Sequence, residues 1–594
     1  METLTDDHIL DTYITDLSTD LSMDPISLPL DTTADPKFIT NMLNIYQAVR
    51  ASGKANHLHA RISLSRGLNI PAWRHLTEHY HDKQLVDMLE FGFPLGYVGP
   101  IPTPCYENHM SARCYPDHVQ MYLDTETHNH AMMGPFTQLP FTWAQVSPLM
   151  SRPKKGTTPG ARRIIVDLSH PPMASVNHFT PRDTYCGKPS RVSLPSVDDL
   201  IHLINQAGPT CYLYSTDIAR AYRNLPLDPL SWPLTCIQHA GSLYCDISLP
   251  FGARWSAHAC QRTTDAIRHI MTINGHTVLN YIDDICGVAS SKEGAEAGFK
   301  LLQATLADLG LPEATDKACP PTRVITWLGV EFDCDSSMIK IPHHKLEEIQ
   351  ELVKRWQHKQ HATLRHLRSL LGKLLHICQC CPPARLFLNR MLQLLRDNQH
   401  ATAQIKLDTD FQKDLSWFHS YIAQCNGQFM MPPPIPACNA IMADACLSGG
   451  GAIYKDNCYF TQFPDFVMNQ DLSICHKEAL NCLISIKLWA PLLANSDVTL
   501  YCDSMVTITT LATARGRDPF LLSVAREVWL ISARYCIHIR PCHKPGADME
   551  GGADALSRYH TSNKYQTIVH KLIQDCNFKV WNVDPYLFKL QTDL

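Results

Sequence analysis

The chain has 594 residues, enough for several domains of about 100–200 residues each. Hydrophobic residues make up 45%, so large cores can form, and a net charge of −5 means that any nucleic-acid binding must rest on local basic charge. The 23 cysteines lack metal-type repeats and no signal peptide is visible, so an intracellular setting, cytoplasm or nucleus, is expected; no apolar run nears the roughly 20 residues that span a bilayer, so no membrane partner is.

Residues 1–36 hold Glu2, Asp6, Asp7, Asp11, Asp16, Asp20, Asp24, Asp31 and Asp35, with no Lys or Arg. Such a segment is expected to be a disordered acidic tail. Residues 37–150 show helical periodicity over 38–49 and a short helix over 84–91, amid Pro-, His- and Tyr-rich loops. They are expected to form an N-terminal extension packed on the next domain.

Basic charge then appears at Arg152, Lys154, Lys155, Arg162 and Arg163, around the flexible turn 156–160. Ile164-Ile165-Val166 reads as a strand. An arginine there suits a triphosphate, whose oxygens it can grip in a bidentate way. From this stretch alone a solvated edge strand fits equally well.

Residues 211–217 form an apolar–aromatic strand ending on Asp217. Leu249-Pro250-Phe251-Gly252 leads into a helical stretch over 257–270, and Gly252 permits close backbone approach. Residues 278–288 read as a β-hairpin with Asp283 and Asp284 at the turn. Adjacent acids are hard to keep ionised without a counter-charge. A divalent cation such as Mg²⁺ supplies one, held by carboxylates plus substrate phosphates.

Arg163 to Asp167, Asp217 to Tyr222, Leu249 to Gly252, Tyr281 to Asp284, Lys317 and Trp327-Leu328-Gly329 resemble, in order and rough spacing, the motifs of reverse transcriptases. The resemblance covers about 150–400 and implies an α+β palm with fingers and a helical thumb, the right-hand polymerase fold. It implies that Asp217 and Asp283 are the main metal ligands, with Asp284 supporting, around two Mg²⁺ ions (Mn²⁺ as a substitute). It further implies that Tyr222 is a steric gate against a ribose 2′-hydroxyl, that Arg163 binds the triphosphate, that Phe251 and Gly252 flank the nucleotide, and that Lys317 sits near the leaving phosphate.

Residues 340–400 are helical, Leu-rich and basic, with Lys345, Lys354, Arg355, Arg365, Arg368, Lys373, Arg385 and Arg390. As a thumb such helices could track a duplex backbone. Cys378, Cys380 and Cys381, near His376, read as packed thiols rather than a zinc site. The prolines 432–434 and 436 mark a linker.

After it, a strand over 440–444 ends on Asp444, followed by Gly449-Gly450-Gly451 and a second strand over 452–454. Glu478 lies on a helix over 473–489, and a strand over 498–503 ends on Asp503. His543-Lys544-Pro545-Gly546 reads as a loop, and Gly551 to Arg558 begins a helix carrying Asp554. These features together resemble a retroelement ribonuclease H, an α/β ribonuclease H-like domain. The resemblance implies that Asp444, Glu478, Asp503 and Asp554 hold two Mg²⁺ ions around the scissile phosphate of an RNA–DNA hybrid. It implies that His543 is a mobile proton-transfer or product-release histidine, with a surface loop histidine as the alternative.

The expected organisation is therefore a tail (1–36), an extension (37–150), fingers and palm (151–340), thumb and connection helices (341–400), a linker (401–436), the ribonuclease H-like domain (437–560) and a C-terminal tail (561–594). The expected enzyme uses an RNA template, a DNA primer and dNTPs, then degrades the RNA–DNA hybrid. The whole looks most like DIRS-type retrotransposons, which encode a tyrosine recombinase; gypsy-type elements and pararetroviruses share the core. A domesticated, inactive nucleic-acid-binding protein is the alternative.

Overall fold

The structure is a computed structural model that describes residues 35–590, except 65–66, 101–103, 105–106, 155–159, 399–403, 431–438 and 550–551. The acidic segment before Asp35, most of the 156–160 turn and the proline tract at 432–436 lie outside the described residues. The chain divides into two compact units, Met1–Ile325 and Thr326–Leu594.

In the first unit, helix α1 (Pro36–Ser52) starts where the Asp35 side chain accepts a hydrogen bond from Phe38 N, and it buries Ile39, Met42, Leu43, Tyr46 and Val49. Strand β1 (Met132–Phe136) follows, then the antiparallel hairpin of β2 (Leu149–Pro153) and β3 (Arg162–Val166), with Arg163 opposite Arg152. Helix α2 (Val197–Ala207) opens with a Ser196/Asp199 capping box, which satisfies two of its free N-terminal N–H groups. Strand β4 (Tyr212–Asp217) precedes the hairpin of β5 (Cys236–His239) and β6 (Ser242–Asp246), and β6 also pairs with β1.

Helix α3 (Ser256–Ile273), strands β7 (Thr277–Tyr281) and β8 (Asp284–Ala289), helix α4 (Lys292–Leu309) and strand β9 (Cys319–Thr322) complete the palm. Its antiparallel sheet runs β9-β4-β8-β7, with α3 packed on β7 and α4 on β4, β8 and β9. Trp73, Leu89, Phe93 and Met133 of the extension share one hydrophobic core with Tyr214, Ile267 and Ile285 of the palm. The extension is thus built into the palm core.

In the second unit, β10 (Val330–Asp333) and β11 (Met338–Lys340) precede helices α5 (His343–Trp356), α6 (Leu364–Ile377) and α7 (Asn389–Asp397). Helix α6 buries Leu367, Leu370, Leu371, Leu374 and Ile377, which recur at helical spacing, and exposes Arg365, Arg368 and Lys373. The cysteines Cys378, Cys380 and Cys381 are buried, and burial pushes the first two thiols up to about 12. The expected linker 401–436 is not simply a connection. It contains helix α8 (Thr409–Tyr421), which buries Phe411, Leu415 and Phe418, and strand β12 (Gln428–Phe429), which pairs with β11. The proline tract dominated the composition there, while the apolar positions at i, i+4 and i+7 carried the helix.

The last domain has strands β13 (Ala440–Ala445), β14 (Gly449–Tyr454) and β15 (Asn457–Gln462), helix α9 (Ile474–Leu493), strand β16 (Asp497–Cys502), helix α10 (Pro519–Tyr535) and strand β17 (His538–His543). Helices α11 (Ala553–Ser557) and α12 (Asn563–Cys576) and strand β18 (Lys579–Val580) follow. The sheet runs β17-β16-β13-β14-β15-β18, parallel through β13, β16 and β17 and antiparallel through β13, β14 and β15. The fold class is the expected one: an α+β palm with fingers and helical thumb, then an α/β ribonuclease H-like domain.

Two local expectations are corrected. The glycines 449–451 lie inside β14 rather than before it, because Asn481, Leu556 and Ser557 press so closely on that strand that a Cβ would collide. His543 is the last residue of β17, opposite Cys502, and the loop starts at Lys544. Residues 561–590 dock on the domain through α12 and β18. No helix among the described residues is long and apolar enough to cross a membrane.

Candidate active sites

In the palm, β4 and β8 pair so that Asp284 lies opposite Asp217, and Ile218 N donates to Asp283 O at 3.1 Å. Asp217 and the Asp283–Asp284 pair, more than sixty residues away in sequence, are thereby placed at one end of one sheet. The hairpin turn is tight: Ile282 has φ +58°, a conformation that costs a β-branched residue strain unless its surroundings impose it. Helix α3 imposes it. Gln261 Oε1 accepts from Ile282 N at 2.7 Å, and Thr264 Oγ1 donates to Ile282 O at 2.8 Å. Asn280 Nδ2 in turn donates to Thr264 Oγ1 and to Asp265 Oδ1, both at 2.9 Å.

Burial, and then the Asp217 charge, raise the Asp283 carboxyl above the usual carboxylate range, while Lys317 and Arg163 oppose the rise. Lys317 Nζ lies 2.8 Å from Asp217 Oδ2, and this hydrogen bond raises the Lys317 ammonium above its ordinary value. A cation therefore already answers the paired acids. The oxygen donors and their mutual repulsion fit a hard divalent ion.

Tyr222 follows a turn in which Arg220 has φ +54° and its guanidinium reaches Glu126 at 2.7 Å. The buried Arg223 anchors the short helix Ala221–Asn224, which carries Tyr222, through Glu126 at 2.8 Å and Asp246 at 2.6 Å. The Tyr222 ring meets Phe251 edge-on, centroids 4.8 Å apart, and the Arg163 guanidinium lies 6.0 Å from the Phe251 centroid. Gly252 has φ +103°, and a Cβ there would approach Val166 O to 2.8 Å. Asn177 clamps this loop by donating to Gly252 O at 2.8 Å and accepting from Arg254 N at 2.9 Å.

The second site sits where β13 and β16 run parallel. Glu478 reaches from α9, accepting from Ala445 N at 3.0 Å and from Cys502 Sγ at 3.4 Å. One ligand atom each from Glu478, Cys502 and Asp503 lie within 4.8 Å of one another. Asp444 accepts from Ser557 Oγ at 2.6 Å, and Arg558 Nε donates to Asp554 Oδ1 at 2.7 Å. Burial, then Cys502, Asp444 and Asp503, pushes the Glu478 carboxyl up to about 12. Burial raises Asp444 to about 6, with Asp503 and Asp554 adding and Ser557 and Arg558 opposing. Arg558 only partly offsets this crowding of acids, and their oxygen donors fit a hard cation. His543 Nε2 lies 3.1 Å from Asp503 O.

The structure thus places Asp217, Asp283, Asp284, Lys317, Arg163, Tyr222, Phe251 and Gly252 in the palm, and Asp444, Glu478, Asp503, Asp554 and His543 around the second site. Sequence reasoning missed the supports. Gln261, Thr264 and Asp265 recur at i, i+3 and i+4 on α3, a spacing that could have marked them. Asn481, which donates to Asp444 O at 2.8 Å and Gly451 O at 2.9 Å, and the clamp residue Asn177 carry no such signal. Arg390, counted among the duplex-facing cations, is instead bound to Asp410 at 3.0 Å and Asp414 at 2.7 Å.

Residues 153–332 match the family model "Reverse transcriptase (RNA-dependent DNA polymerase)". No curated protein matches the chain. Among solved structures, the foamy viral protease-reverse transcriptase dRH in complex with double-stranded DNA is 15% identical, TM-score 0.45, over 88% of this chain and 84% of that one. The foamy viral protease-reverse transcriptase with double-stranded DNA is 14% identical, TM-score 0.44, over 88% and 99%; the same enzyme with an RNA/DNA hybrid is 13% identical, TM-score 0.44, over 88% and 64%. The chain carries a reverse transcriptase domain over residues 153–332.

Proposed function

We propose that the chain is a retrotransposon enzyme with two active sites, one that copies RNA and then DNA into DNA and one that cuts the RNA strand of the resulting hybrid. The observation that carries the reading is the convergence of distant carboxylates into two separate clusters, Asp217/Asp283/Asp284 and Asp444/Glu478/Asp503/Asp554. The DIRS-type assignment rests on the Arg162–Ser169 stretch and the Leu-Gly-Lys-Leu segment at 371–374. The free thiols of the described cysteines support an intracellular setting.

Bound Mg²⁺, two per site, would make the primer 3′-hydroxyl or a water more acidic and neutralise charge on the leaving oxygen. Asp217 and Asp283, with Asp284 in support, would hold those ions in the palm. Lys317, ion-paired to Asp217, would sit near the phosphate that leaves. Arg163 grips the dNTP triphosphate, and Gly252 lets the backbone approach the nucleotide. Tyr222, fixed against Phe251, blocks a 2′-hydroxyl by an added repulsion. In the second site Asp444, Glu478, Asp503 and Asp554 would be the ion ligands and His543 would move a proton. The scissile strand's 2′-hydroxyl distinguishes RNA from DNA.

Primer extension on a homopolymer RNA template and cleavage of an RNA–DNA hybrid, measured on one preparation with Mg²⁺, test the reading. Asp283→Asn is expected to abolish extension and keep cleavage, and Glu478→Gln to do the reverse. Loss of both activities from either change in a folded protein contradicts two sites. Neither activity in the unaltered chain would leave a nucleic-acid-binding protein.

A further inference from the structure

The proposed chemistry leaves three side chains beside the β2–β3 hairpin without a task. His109 Nε2 lies 2.9 Å from Asp167 Oδ2. His170 meets His109 edge-on, with ring centroids 5.4 Å apart. One ligand atom from each of His109, Asp167 and His170 lies within 4.8 Å of the other two, and all three are half-buried, open to entry of an ion.

The backbone beneath them is held in place. His109 N donates to Leu149 O at 3.0 Å, while Asp167 N donates to Pro148 O at 2.9 Å, so both hang from the start of β2. Leu149 N donates to Asn108 Oδ1 at 2.7 Å. Ser169 N donates to Asp167 Oδ1 at 3.1 Å, which orients the carboxylate and leaves Oδ2 facing His109. His170 N donates to Asp167 O at 3.2 Å, closing a turn that sets two of the three residues side by side.

We propose that His109, Asp167 and His170 bind one divalent transition-metal ion of the zinc class, with water completing the coordination. Two imidazoles and a carboxylate are a borderline-soft set that favours zinc over magnesium, whereas the two proposed catalytic sites are built mainly on carboxylate oxygens. Tetrahedral bonds of about 2.0–2.1 Å put neighbouring ligand atoms about 3.3 Å apart, so the 2.9 Å His109–Asp167 pair needs to open only slightly. On binding, the His109 ring carries its proton on Nδ1 and presents Nε2 to the ion. The Ser169 N–H acts from the outer shell, as the partners of ligating carboxylates do. The ion ties the segment preceding the short helix Met110–Arg113 to the end of β3, the strand that carries Arg163. It is a structural brace for the hairpin and takes no part in phosphoryl transfer.

The test uses the full chain, stripped with chelator and titrated with Zn²⁺ in excess Mg²⁺, alongside His170→Gln, His109→Gln and Asp167→Asn. One equivalent of Zn²⁺ is expected to bind the unaltered chain and to weaken at least about tenfold in each variant, while Glu478→Gln retains it. Equal binding in the unaltered chain and all three ligand variants overturns the site. Because a variant can misfold, the unaltered chain is also loaded with Co²⁺ and with Zn²⁺. Visible bands of four-coordinate Co²⁺ and an absorption edge fitting two imidazoles support the site; thiolate charge-transfer bands or an all-oxygen shell overturn it.

Discussion

Tyr222 illustrates how much a single side chain depends on what holds it. Its ring is locked by Phe251 on one side and by a helix anchored through the buried Arg223 on the other. A gate that works by collision must be rigid, since a ring that yields cannot reject an extra hydroxyl. Tyr222→Ala is expected to raise incorporation of ribonucleotides relative to deoxyribonucleotides at least about tenfold, read from competition of the two on one template. An unchanged ratio would remove the gate role. Asp444 makes a different point. Its folded-state pKa, raised from 3.8 to about 6, means that between those values the folded chain holds a proton the unfolded chain lacks. Stability from this group is therefore present at low pH and is lost as pH rises through about 6. The shift corresponds to on the order of 2–3 kcal/mol. Asp444→Asn is expected to raise Tm at pH 7.5 without divalent ions and to abolish hybrid cleavage. Mg²⁺ is expected to stabilise the unaltered chain more at pH 7.5 than at pH 5. A lower Tm for the variant at pH 7.5 would contradict this account.

Among the elements, α6 carries a glycine, Gly372, on its exposed side near Arg368 and Lys373, with open space where a Cβ would be. Glycine inside a helix costs about 0.5–1 kcal/mol relative to alanine, and nothing within the helix accounts for it. Under the proposed function, close approach of a duplex backbone would account for it. Gly372→Ala is expected to raise Tm slightly while weakening binding to primer–template, measured by filter retention; tighter or equal binding would count against a duplex track on α6. Helix α8 tells a packing story. Asp414, fully buried, takes Arg390 from α7 at 2.7 Å and also Arg526 from α10. Burial raises its carboxyl above the usual range despite both arginines. Removing one partner of a buried ion cluster strands the others, at about 3–5 kcal/mol. Asp414→Asn is expected to lower the unfolding free energy from denaturant titration by that order, and a value within about 1 kcal/mol of the original would show the cluster to be dispensable.

At the scale of the whole molecule, the two carboxylate clusters fall in different compact units, Asp217 and Asp283 in the first and Asp444, Glu478, Asp503 and Asp554 in the second. Each cluster has its own scaffold: a hairpin pinned by α3 in one, parallel strands crossed by α9 in the other. That separation is the physical basis for expecting Asp283→Asn and Glu478→Gln to silence different activities. Because α7, α8 and α10 meet at Asp414 within the second unit, the thumb-position helices and the ribonuclease H-like domain share a buried electrostatic anchor. The second unit begins at Thr326, so β10 and β11 belong to it.

The acids, the strands that deliver them and the order of the elements were legible in the chain itself. Strand alternation, apolar spacing and an Asp-Asp turn are short-range patterns; they mark Asp217, Asp444 and Asp503 at or beside strand ends and Asp283 in the turn. What clamps those ends was decided only in three dimensions. Asn280 braces Thr264 beneath a strained turn, Asn481 and Ser557 hold Asp444, and Asp414 gathers Arg390 and Arg526, through contacts that packing alone brings together. The trio of His109, Asp167 and His170 is of the same kind: a histidine 58 positions upstream of its partner carries no periodicity, and only the pairing of β2 with β3 makes them neighbours.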